Sequence, residues 1–193
     1  MTLVEPFAVV PRYDIVVRSR CGEERVYRTT RSLFDGGADD VISKGTRVWE
    51  VLQVDIESGA TIGEPVVLKD SWVGRHRERE GDILARIRES TSALNPEDRA
   101  RLEDSLVTVI HHGDVYIADQ IDYARLLPRK GTRSFCNLRQ DRRRVDAGQV
   151  HYRAVYQESG RPLHTESSLA KVYAAVAEVC RSMSSVPWII RGR

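Results

Sequence analysis

The sequence predicts an α+β fold. Three observations carry this reading. Strand-like runs crowd the first third of the chain, helical spacing begins only after residue 75, and the longest helical pattern comes last, behind a further strand. Strands and helices are thus segregated rather than alternating, which sets the chain apart from a βαβ-type fold with a parallel sheet.

The elements follow in order. Residues 14–18 and 24–28 are rich in β-branched and aromatic side chains and are joined at Cys21-Gly22, a pair suited to a hairpin turn. Residues 34–40 read as a loop, 48–54 alternate like a half-buried strand, and 57–65 turn the chain. Val66-Val67-Leu68-Lys69 then reads as a short apolar strand ending in a cation. Glu80, Ile83, Leu84 and Ile87 fall at i, i+3, i+4 and i+7, one face of a helix. Asn95-Pro96-Glu97-Asp98 combines an N-cap Asn with Pro at the first helical position, and turns Leu102 and Leu106 inward. Residues 107–110 and 115–117 suggest strands separated by a turn at His111-His112-Gly113-Asp114. The two adjacent histidines fit a turn flank better than a metal site, because neighbours on a regular element diverge. Residues 150–156 return to strand chemistry. Leu169, Val172, Tyr173, Val176, Val179, Cys180 and Met183 then form the apolar stripe of a final helix, capped by Ser167 or Ser168.

Composition narrows the function classes. With 193 residues, 41% apolar and 30% charged, the chain is long enough for a core and is neither disordered nor fibrous. A net charge of +2 gives no global reason to expect nucleic acid or membrane. No apolar run is long enough to span a bilayer, and no secretory leader is visible, so an intracellular protein, cytoplasmic or nuclear, is expected. Cys21, Cys136 and Cys180 are odd in number and widely spaced, as free thiols in a reducing compartment would be. Residues 129–144 hold seven Lys or Arg and one Asp, yet only Phe135 among aromatics. They read as an exposed insertion rather than a nucleic-acid contact.

The pair that carries chemistry is Lys69 and Glu80. Glu80 lies on the apolar face of its helix, where an unpaired carboxylate is costly to bury, and Lys69 follows three apolar residues. Either the two charges meet, or one of them reaches solvent.

The strings Lys44-Gly45-Thr46-Arg47-Val48-Trp49-Glu50-Val51, Val66-Val67-Leu68-Lys69-Asp70-Ser71-Trp72-Val73 and Arg79-Glu80-Gly81-Asp82-Ile83-Leu84 resemble the fungal-type protein kinase family. His151-Tyr152-Arg153 through Gly160-Arg161-Pro162-Leu163 adds a match to that family's fifth strand and hinge. The resemblance runs from about Tyr13 to Met183. It implies a twisted antiparallel sheet plus one helix over residues 1–160, with a basic insertion near 129–149. It also implies the first long helix of a second, truncated lobe over 161–193.

The same resemblance implies roles. Lys69 would hold the α- and β-phosphates of ATP and Glu80 would fix that lysine. Gly45 would lie in the phosphate-covering loop, where Ser43 replaces a glycine. Val48 would pack over the adenine, and Gln157, Glu158 and Ser159 would present hinge backbone to its edge. The family's His-Arg-Asp string is missing: Ile190 and Gly192 stand where the His and the catalytic Asp belong, and the sequence reads on only to Arg193. The expectation is therefore a kinase-like fragment or pseudokinase without turnover, with weak or absent ATP binding and no magnesium held. The alternatives are a kinase-like non-catalytic binding module and, less favoured, a nucleic-acid-contacting protein acting through residues 129–144. Nothing in the sequence names a protein substrate or partner.

Overall fold

A computed structural model describes residues 12–35, 45–91, 94–124, 148–160 and 165–185. In chain order the strands are β1 (Asp14–Arg18), β2 (Glu24–Asp35), β3 (Arg47–Val54) and β4 (Thr61–Gly74). Helices α1 (Glu80–Ser90) and α2 (Pro96–Ser105) follow. Next come β5 (Val109–Asp114), β6 (Tyr116–Ile117), β7 (Gln120–Ile121), β8 (Tyr123–Ala124) and β9 (Gln149–Tyr156), and last the helix α3 (Leu169–Ser185). The main sheet is antiparallel, in the order β1-β2-β3-β4-β9-β5, with β8 also paired to β9. It curls far enough for β1 to pack against β5.

Two apolar clusters line the two faces of the sheet, as the period-two alternation of strand side chains requires. Ile15, Val17, Tyr27, Val51, Leu68 and Val155 fill one face. Val67, Tyr152, Ala154 and Tyr156 fill the other, against Leu84 of α1. The hairpin turn between β1 and β2 is as the sequence indicates: Gly22 takes φ +89°, a conformation other residues rarely adopt. The start of α2 also follows the sequence, with the Asn95 side chain accepting from the Asp98 amide at 2.8 Å. Ser168 precedes α3, and its carbonyl accepts from the Val172 amide.

Four expectations are corrected. Lys69 does not end its strand. β4 runs five residues further, because Asp70 to Gly74 all find partners on β9, from Arg153 to Gln149. The strand also starts at Thr61, so only the residues before it turn the chain. β2 continues to Asp35, past the expected loop start, and two register shifts let it keep pairing with β3. Finally, His111-His112-Gly113-Asp114 is strand, not turn. Its glycine serves close approach: a β-carbon on Gly113 would collide with the Arg18 carbonyl of β1. The turn lies later, at Ala118 and Asp119, which take φ +47° and +61° between β6 and β7. The basic stretch 129–144 and residues 187–193 lie outside the described residues.

Candidate functional site

Lys69 sits in the middle of β4, opposite Val48 on one side and Ala154 on the other. Alternation sends its side chain to the face covered by α1. Glu80 is the first residue of α1, and Lys69 Nζ donates to Glu80 Oε2 at 2.6 Å. The two side chains remain 32% and 42% exposed, so the pair is half-solvated and opens on the surface rather than being sealed in the core. An ion pair of that exposure adds little stability.

Helix α1 is held to the sheet beside this pair. Tyr152 Oη accepts from the Gly81 amide at 3.0 Å, a buried contact that satisfies one free donor of the helix start. Gly81 has no room for a side chain, since a β-carbon there would collide with the His112 ring. Leu84 is buried one turn on. Burial raises the Tyr152 hydroxyl well above its ordinary pKa, as it does that of Tyr156. The charge of Glu80 adds to the shift at Tyr156. Tyr156 Oη is buried without a hydrogen-bond partner among the described residues.

The remaining predicted residues are distributed as follows. Val48 packs on the apolar cluster of the α1 face, near Lys69. Gly45 takes φ +48°, and a β-carbon on it would lie 3.3 Å from the Trp72 indole. Gln157 leaves β9 with its amide donating to the Thr108 carbonyl at 2.9 Å. The Glu158 carboxylate accepts from the Thr108 amide at 2.7 Å. Burial opposes ionisation of Glu158, yet the bonds from Thr108 prevail and hold it below the ordinary carboxylate range. Ser159 is exposed beyond it. Lys69, Glu80 and Val48 therefore share one face, while Gln157 and Glu158 are tied to the segment before β5.

Sequence reasoning missed the opposite face. In Leu68-Lys69-Asp70-Ser71-Trp72, Lys69 points toward α1, whereas Asp70 and Trp72 point to the other side. There Asp70 accepts from His151 Nε2, and Arg153 Nε donates to it at 3.2 Å. His151 Nδ1 lies 2.9 Å from Asp122 Oδ2. Burial is the largest influence on Asp70 and works against its charge. The hydrogen bond and charge of His151, joined by Arg153, outweigh it and hold the carboxyl below its usual value. The strand alternation around Asp70 was the available signal for this cluster.

An antiparallel sheet whose central lysine meets a glutamate at the start of a helix packed on that face is compatible with the smaller lobe of a protein kinase. The family model described as fungal protein kinase matches residues 12–186, and the chain belongs to that family. No curated protein and no solved structure matches the chain. Among the described residues, no helix is long and apolar enough to cross a membrane.

Proposed function

We propose that residues 1–160 form the nucleotide-binding lobe of a fungal-type protein kinase and that residues 161–193 open its larger lobe. In this reading Lys69 contacts the α- and β-phosphates of ATP and Glu80 holds the lysine in place. Val48 packs over the adenine, the loop at Gly45 closes over the phosphates, and backbone at Gln157, Glu158 and Ser159 meets the adenine edge. The observation that carries the reading is the 2.6 Å contact of Lys69 with Glu80 in a kinase-family chain.

The residues fit a phosphate-bearing ligand. An ammonium has three donors, and Glu80 takes one of those of Lys69. The ammonium is also accessible enough to reach phosphate oxygens from the surface. ATP would supply the transferable phosphoryl group, and Lys69 would neutralise charge on its phosphates. The family's His-Arg-Asp string is not found in these residues, and the reading proposed for them is weak nucleotide binding without phosphate transfer.

The test compares wild type with Lys69→Met. At ATP ten times above its Kd, binding adds about 1.4 kcal/mol of stability, a rise of a few degrees in Tm. Wild type should show this rise only at millimolar ATP, Lys69→Met should show none, and neither should transfer label from radiolabelled ATP to acceptor proteins. No rise at any soluble ATP concentration would overturn the nucleotide reading. Label transfer by wild type that Lys69→Met abolishes would overturn the claim of inactivity.

A further inference from the structure

The turn after β4, Arg75-His76-Arg77, lies beside the start of α1, at the rim of a cleft of about 270 Å³. Five arginines line this cleft: Arg18, Arg20, Arg75, Arg77 and Arg79. They do not play equal parts.

Arg79 is the fastener. Its side chain is 14% exposed, and it grips Asp114 of β5 through Nε and Nη2 at 2.6 and 3.1 Å. Its Nη1 donates to the Arg77 and Gly74 carbonyls at 2.8 and 3.4 Å. These bonds fix the backbone of the turn that carries Arg75 and Arg77. Both of those side chains are exposed, and neither pairs with a carboxylate among the described residues. Glu78, the acid closest to them in sequence, is taken by Arg86.

Two of the guanidiniums lie over aromatic rings. Arg18 Cζ lies 5.0 Å from the Tyr116 ring centroid and Arg75 Cζ 5.7 Å from that of Tyr123. A stacked guanidinium keeps its in-plane N–H donors available and loses little freedom when it binds. Arg18 has only long contacts, 3.7 Å to Glu24 and 4.0 Å to the solvated Asp119, and Arg20 stands 3.7 Å from Asp82.

We propose that this cleft is a receptor for a phosphorylated side chain on a polypeptide segment, bound chiefly by Arg75 and Arg77 and flanked by Arg18. A phosphoester carries between one and two negative charges and three acceptor oxygens, enough to engage more than one guanidinium fork, which a carboxylate cannot match. The shape and charge favour peptide over nucleic acid. Glu78, Asp82 and Asp114 share the lining with the arginines and would repel a continuous polyanion, while a single phosphate can avoid them. Tyr116, the tyrosine in the lining, already carries Arg18 over its ring, which leaves less of it for a base to stack on. The site shares no residue with the Lys69–Glu80 pair, so it stands or falls independently of the ATP reading.

The test uses the full chain and a fluorescent peptide, Gly-Ala-phosphothreonine-Ala-Gly with blocked ends, read by anisotropy. The unphosphorylated peptide, inorganic phosphate, adenosine monophosphate and single-stranded DNA serve as comparison arms. The phosphopeptide should bind saturably, at least tenfold tighter than the unphosphorylated peptide and tighter than phosphate, nucleotide or DNA. Arg75→Gln/Arg77→Gln should weaken it at least tenfold with Tm unchanged, because both side chains project from a surface turn. Arg79→Lys keeps the charge but loses the fork, and should weaken phosphopeptide binding while leaving the weak binding of inorganic phosphate as it is. Equal binding of the two peptides, an unchanged affinity in the double variant, or tighter binding of free phosphate, nucleotide or DNA would overturn the proposal.

Discussion

His151 is stacked on Trp72, with ring centroids 4.7 Å apart and planes 12° from parallel, and each of its ring nitrogens faces a carboxylate. The two residues are direct cross-strand partners on β9 and β4, so sheet register alone brings the rings together. Both nitrogens can donate at once only when the ring is charged. The carboxylate at Nε2 belongs to Asp70, the residue after Lys69. The cluster therefore pins the strand that presents the lysine, from the face opposite it.

Asp70→Ala should cost about 3 kcal/mol, because it leaves the mostly covered Arg153 and His151 without their shared carboxylate. Asp122→Ala should cost about 1 kcal/mol, since among the described residues the Asp122 carboxylate meets only His151 and is more exposed. Urea unfolding measures both. A loss at Asp70 no larger than that at Asp122 would mean the cluster does not hold the sheet.

Acid should weaken the fold in two stages. Burial keeps His112 from taking a proton at its ordinary value of 6.5. Below that pH the unfolded chain binds a proton that the folded chain refuses, so stability falls as the pH drops from 6.5. Asp70 is shifted below 3.8, so its contribution is complete above that value and is lost as pH falls through its lower, folded pKa. Stability measured against pH should decline gently from 6.5 and more steeply below 4. His112→Gln should remove the first stage alone.

Gly113→Ala should destabilise by about 3 kcal/mol or more. The new methyl would meet backbone, the Arg18 carbonyl, which has no rotamer through which to escape. Gly59→Ala is the control. Its φ of +67° brings strain, but nothing lies near the added carbon, so about 1 kcal/mol is expected. Thermal unfolding of the two variants compares them directly.

The stripe on α3 should drive self-association. Leu169 and Tyr173 are each 72% exposed, and Val176 and Val179 are about half exposed. Leu169→Lys/Tyr173→Lys should shift the chain toward monomer in sedimentation and change stability by less than about 0.5 kcal/mol. A wild-type chain that stays monomeric at high concentration would contradict the prediction.

The strands of the first half and the start of α2 were legible because their signals are local. Gly22 marks a turn, Asn95-Pro96 a cap, and residues 48–54 alternate. The Lys69–Glu80 pair was legible because helical spacing put a carboxylate where an apolar residue belongs. What escaped was set by pairing across the sheet. Asp70 and Ser71 look like a strand end in sequence, and only β9 turns them into strand. His111-His112-Gly113-Asp114 has turn composition, yet Gly113 is present because another backbone passes against it. The Asp70–His151–Asp122 cluster joins residues 29 and 81 positions apart, a relation that no local pattern encodes. The arginine cleft likewise draws on the β1–β2 turn, the end of β4 and β5 together.

The curl that brings β1 to β5 also bears on how the protein keeps to itself. An outermost strand ordinarily displays a row of free amides and carbonyls to which a strand of another molecule can attach. On β1, the Val16 carbonyl accepts from Arg153 Nη1 at 2.8 Å, the Val17 carbonyl is 3.1 Å from His111 Nε2, and the Arg18 carbonyl is pressed against Gly113. The partners come from 94 to 137 residues away in the chain. During synthesis, β1 emerges first and remains an open template until β5 and β9 arrive to cover it. Strand-to-strand misassembly at β1 should accordingly be a hazard of the nascent protein rather than of the finished one. Co-expression with a chaperone should raise soluble yield more than any change to the surface of the folded sheet.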